Sequence, residues 1–131
     1  MRHPLALASL AALLGILPSA SEPSAEARCL LAVLAAEGFR AAPHPTDSTR
    51  RVLTRTLTGV DQLGIGPSAR DSRVEVLEVR LDAGRPGLVV ERVSALQPTH
   101  GAPSVPEGDV ARLDREVRAL VRDAAPRCEA R

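Results

Sequence analysis

The residues with reactive or ligating side chains are few: Cys29, Cys128, His44, Asp47, Ser48 and His100. Cys29 lies in EARCLLAVLAAEGF and Cys128 in APRCEAR, and the chain has no other cysteine. They are too far apart in sequence for the C-x-x-C pair of a redox or zinc motif, so their reading depends on compartment. His44 and Asp47 form H-x-x-D in APHPTDS, and His100 sits in QPTHGAPS. With His100 as a third ligand the set still falls short of the four a closed structural zinc site uses, so no metal is expected. Ser48, Asp47 and either histidine supply the types of a nucleophile, acid and base. No G-x-S-x-G elbow accompanies them, and ordinary solvated loop residues are the default reading.

What is missing narrows the chemistry further. Lys, Asn, Tyr and Trp are absent, all 17 basic residues are arginine, and Phe39 is the only aromatic. No lysine is present to form a Schiff base or cradle a phosphate, and no Tyr or Trp platform to stack a sugar or base. The G-x-G in GIGPS, residues 64–68, is followed by Pro67 and reads as a turn rather than a phosphate loop. No cofactor is expected. The scarcity of residue types with AT-rich codons suggests a GC-rich bacterial source.

The first 21 residues read as a secretory leader. MRHP gives a positive start, LALASLAALLGIL an apolar run, and PSAS a helix break with small residues, which points to cleavage after Ser21. The apolar run is shorter than the roughly 20 residues of a membrane span. Residues 22–131 are then expected to form one small α+β domain, periplasmic or secreted, with no stable membrane span after cleavage. Loss of Arg2 leaves arginine and acidic side chains balanced, which together with the missing aromatics argues against a nucleic-acid partner. In an oxidising compartment the two cysteines are expected to form a disulfide.

The elements that would position these groups follow from patterning. Ser24 as N-cap, Glu26 in the first turn and Gly38 as a left-handed stop predict a helix over 25–37, with Ala27, Leu30, Val33 and Leu34 on its apolar side. Ser104 and Glu107 form an S-x-x-E capping box. Behind it Val110, Leu113, Val117, Leu120, Val121 and Ala124 recur at helical spacing over 106–124, and Pro126 should stop the run. That helix's other face mixes arginines with Asp114, Glu116 and Asp123, as a solvated, salt-bridged face does.

Between the helices the period changes to two. Strands are expected over 73–82 and 88–97, joined as a hairpin through AGRPG. Val74 and Val76 share one face and Leu77, Val79 and Leu81 the other, which predicts a bulge near Val76 or a strand whose halves are covered differently. RRVLTRTLTG favours a strand for its threonines, although Leu53, Leu57, Val60 and Leu63 also fit a helical stripe. FRAAPH is a candidate short edge strand, and loops are expected at 43–50, 59–72 and 98–104.

The expected fold is therefore α+β: an antiparallel sheet of about four strands with N-terminal and C-terminal helices packed on one face. Antiparallel helices would bring Cys29 beside Cys128. The leading functional expectation is an exported, non-enzymatic binding module whose partner is an envelope protein or a small apolar ligand. The alternatives are a small periplasmic hydrolase using His44 or His100, and an envelope-associated structural protein held by an uncleaved leader.

Overall fold

The computed structural model describes residues 22–60, 67–81, 87–97 and 105–129. The expected leader, His100, Ser104 and most of the AGRPG turn lie outside those residues. The elements run α1 (Ala25–Ala36), β1 (Arg40–Pro43), β2 (Arg50–Val60), β3 (Pro67–Leu81), β4 (Leu88–Leu96) and α2 (Glu107–Glu129). The strands form one antiparallel sheet in the order β1-β2-β3-β4, so the α+β expectation holds, with FRAAPH supplying an edge strand.

Helix α1 begins and ends where its capping residues dictate. The Ser24 hydroxyl accepts from the Ala27 N–H at 3.1 Å, satisfying a first-turn donor that the helix leaves unpaired. At the other end Gly38 has a φ of 98°, a conformation that costs any residue with a Cβ. A Cβ there would also lie 3.2 Å from the Cδ of Arg55. The turn directs Phe39 into the core and leads straight into β1.

β2 is a strand, and its helical stripe was a coincidence of spacing. Leu53 pairs across the sheet with Leu77, and Leu77 with Val93, so Leu53 is buried on the same face as Leu77. Arg51 and Arg55 share that helix-facing side, pairing with Val79 and Glu75. Arginines at core-facing positions blur the apolar–polar alternation that marks a half-buried strand. β2 and β3 also run further than expected, to Val60 and from Pro67, so residues 59–60 and 67–72 belong to strands rather than to a loop. A register shift between Leu57 and Gly59 accommodates the extra β3 residues.

The bulge is not at Val76. β3 keeps its register there, with Val74 and Val76 on one side and Glu75, Leu77, Val79 and Leu81 on the other. The shift falls in β4: Glu78 pairs with Arg92 and Val79 with Val90, leaving Glu91 as the extra residue. This changes the parity of β4, so that Leu88 and Val90 before it, and Val93 and Ala95 after it, all face the helices.

The core lies between that sheet face and the two helices. Ala27, Leu30 and Leu34 of α1 meet Leu53, Leu77, Val79, Leu81, Leu88 and Val90 of the sheet, and Leu113, Val117, Val121 and Ala124 of α2. Leu30, Leu34, Leu53, Leu77 and Leu88 are fully buried, and each such side chain contributes about 1.5–3 kcal/mol. Leu120 and Val33 are only partly buried at the edge of this cluster.

α2 continues through Pro126 to Glu129 instead of stopping before it. Proline removes one N–H and crowds the carbonyl four residues back, a smaller penalty in a last turn than in a helix centre. Cys128 therefore belongs to the helix and is 2% exposed. Its sulfur bonds to that of Cys29, with the two Cα atoms 5.5 Å apart, tying the start of α1 to the end of α2.

Candidate functional site

His44, Asp47 and Ser48 lie in the turn between β1 and β2, and their bonds build that turn. The Thr46 N–H donates to His44 Nδ1 at 3.2 Å, while His44 Nε2 is 3.8 Å from Glu78 Oε1. Asp47 accepts from the Thr49 N–H at 2.9 Å and the Thr49 hydroxyl at 2.6 Å. Those bonds, helped by the charges of Arg50 and Arg80, hold its carboxyl below the usual range against the opposing effect of burial. Ser48 contributes its carbonyl, which accepts from Arg51 Nη1 at 3.0 Å. No bond joins the Ser48 hydroxyl to His44 among the described residues, so adjacency in sequence does not become a proton relay.

The same end of the sheet carries a charge network on the face away from the helices. Glu91 lies 2.8 Å from Arg50 Nε and 3.1 Å from Arg80 Nε. Burial pulls its carboxyl upward, but the Arg80 bond and the two positive charges outweigh this and hold it below its ordinary value. The bulge at Glu91 thus places a carboxylate between two arginines of neighbouring strands.

At the opposite end a charged cleft of about 350 Å³ separates the sheet from the first half of α2. Arg55 Nη2 is 2.6 Å from Glu75 Oε1, its Nη1 donates to the Glu37 carbonyl at 2.9 Å, and its guanidinium lies 4.4 Å from the centre of the Phe39 ring. Arg73 meets Asp109 of α2 at 3.4 Å. These contacts clasp sheet to helices. No cluster of three or more metal-ligating side chains occurs among the described residues, and no helix among them is long and apolar enough to cross a membrane.

The most ligand-like concavity is a groove of about 450 Å³ between β4, an edge strand, and the second half of α2. Leu88, Val90, Val121 and Ala125 form its apolar floor, Val89, whose side chain lies on the opposite face of the sheet, borders it through its backbone, and Arg118, Arg122 and Glu129 stand at its rim. Its volume falls within the roughly 300–1,000 Å³ usual for small-molecule sites. Arg118 is held in place, donating through Nε to Asp114 at 2.9 Å and through Nη1 to the Val90 carbonyl at 2.6 Å. Among the described residues Arg122 reaches only its neighbour Asp123, at 3.3 Å, and its side chain is 74% exposed. Each guanidinium carries five N–H groups and so has donors beyond those these contacts use.

Sequence reasoning passed over this groove. Arg118 and Arg122, one helical turn apart beside Val121 and Ala125, were the available signal, but they read as part of a solvated face. Only the placement of β4 at the sheet edge, in line with the end of α2, turns that face into one wall of a groove. No protein-family model, curated protein or solved structure matches the chain, so the reading of this groove rests on its own geometry.

Proposed function

We propose that this protein is an exported, non-catalytic binding module that holds a small, largely apolar ligand with an acidic end in the groove between β4 and α2. The observation that carries the reading is the apolar floor of Leu88, Val90, Val121 and Ala125 beside Arg118 and Arg122. An alkyl or similar body would displace water from the floor, and a carboxylate would meet the guanidinium groups, whose planar fork suits it. The exposed pair of Arg122 with Asp123 competes weakly, since surface ion pairs contribute only about 0–1 kcal/mol. The leader-like first 21 residues and the disulfide both support delivery to an oxidising compartment.

The edge of β4 favours a small ligand over a protein that adds a strand. Strand addition needs a row of free backbone groups on a regular edge. Arg118 already occupies the Val90 carbonyl, and the bulge at Glu91 interrupts the strand one residue later. Both are devices that blunt an exposed edge.

Titration of the oxidised protein with dodecanoate, followed by amide NMR, tests the reading. Shifts should concentrate at Val89, Val90, Val121 and Ala125. Arg122→Glu, at an exposed rim position, should weaken dodecanoate binding by about tenfold or more, equivalent to about 1.4 kcal/mol. Dodecanol should bind more weakly than dodecanoate. Failure of both ligands to perturb the groove amides would refute the site.

A further inference from the structure

We infer that the Cys29–Cys128 disulfide is a redox latch on the groove, so that reduction by a dithiol releases the last turn of α2 and removes one wall of the site. The inference rests on the groove reading and concerns its regulation. Ala125 and Glu129 line the groove, and both flank the turn that contains Pro126 and Cys128. Pro126 has no N–H to give the Arg122 carbonyl, and the final carbonyls of any helix lack intrahelical donors. The last turn is therefore the weakest part of α2 in backbone bonding, and the disulfide is its covalent attachment to α1.

Its position makes a local response reasonable. The turn lies beyond the stripe of Leu113, Val117 and Val121, and Cys128 is its one side chain in the core cluster, so it can loosen while that stripe stays packed. Cys128 is buried, whereas Cys29 is only partly buried, so the Cys29 side of the bond is the more accessible to a reductant. A thiolate of the dithiol attacks the Cys29 sulfur, the bond to Cys128 breaks, and Cys128 leaves as a thiolate that takes up a proton. The second thiol, deprotonated, then displaces Cys29 from the mixed disulfide; Cys29 takes up a proton, and the dithiol has given up two electrons and become a disulfide.

Hydrogen exchange and dodecanoate titration of the full chain test the latch, in the oxidised form, after dithiothreitol, and in the Cys29→Ser/Cys128→Ser variant. Exchange protection should fall by about tenfold or more at 127–129, with protection at 113–121 retained and dodecanoate binding weakened in parallel. Adding Pro126→Ala to the double-serine variant restores the missing N–H and should recover both. A uniform loss of protection across the domain would show a global staple and overturn the latch, as would unchanged exchange in the last turn or no rescue by Pro126→Ala. Absence of dodecanoate binding in the oxidised form would instead refute the groove reading, while the exchange pattern would still decide whether the turn is released.

Discussion

Arg118 of α2 donates to the main-chain carbonyl of Val90, 2.6 Å away at the sheet edge, so a helix side chain closes part of an otherwise open strand. The same guanidinium is held by Asp114 one turn earlier. Arg118→Ala should therefore do more than remove a charge. It should cost about 1.5–2 kcal/mol, the low end of the range for a hydrogen bond to a charged group, and free the β4 edge for pairing between copies. Sedimentation velocity should show concentration-dependent self-association in the variant and none in the parent under the same conditions.

The clasp at the other end of the sheet makes a prediction about buried charge. Glu75 is 6% exposed and its carboxylate is paired with Arg55. Arg55→Leu leaves that carboxylate without its cation and should destabilise the fold by about 3 kcal/mol, toward the low end of what breaking a buried pair costs, because Arg55 retains some exposure. Glu75→Leu added to Arg55→Leu should recover a large part of the loss in urea unfolding. Additive losses would show that the pair is not energetically coupled.

Two positions on α2 separate the core stripe from its margin. Val117 is buried, whereas Leu120 is only partly so. Val117→Asp should cost several kcal/mol through an unpaired charge in the core, on the order of 3–5. Leu120→Asp should cost distinctly less, because its carboxylate can reach water. Equal midpoint shifts in chemical denaturation would contradict the packing described for α2.

Acid should weaken the end of the sheet that carries Asp47 and Glu91. Both carboxyls are held below their ordinary values in the folded chain. Their contribution to stability is therefore complete above the unfolded-state value, roughly pH 4, and is lost as pH falls through the lower folded values. Asp47→Asn and Glu91→Gln should each reduce the slope of stability against pH in that acidic window and leave the slope near neutrality unchanged. Thermal unfolding across the acidic range would measure it.

The helices were legible because their signals are local. Ser24, Gly38 and the Leu113–Val117–Val121 stripe act within a few residues of themselves, and the structure uses each as written. The strands were less legible because their decisive contacts are distant. Arg55 sits on the core side of β2 only because Glu75 and the Glu37 carbonyl are there to receive it, and neither partner can be inferred from RRVLTRTLTG. The bulge, expected near Val76, falls at Glu91, and only the pairing of β3 with β4 shows it there. Pro126 was read as a stop because the rule for helix interiors was applied to a last turn. The groove was hidden for the same reason as Arg55: three of its lining residues come from an edge strand and five from a helix, and no single window of sequence contains both.

The order of the sheet, β1-β2-β3-β4, has a consequence for how the chain matures. Every strand pairs with its neighbour in sequence, so the meander can zip through successive short closures while the two helices wait on contacts from opposite ends of the chain. During synthesis Cys29 emerges ahead of all four strands, whereas Cys128 follows them and nearly all of α2. Until that point Cys29 has no mate and is open to coupling with a small thiol or with another molecule. The correct crosslink needs the start of α1 and the end of α2 to have met, so a chain stalled before that stage is chemically distinguishable by its free or wrongly joined Cys29.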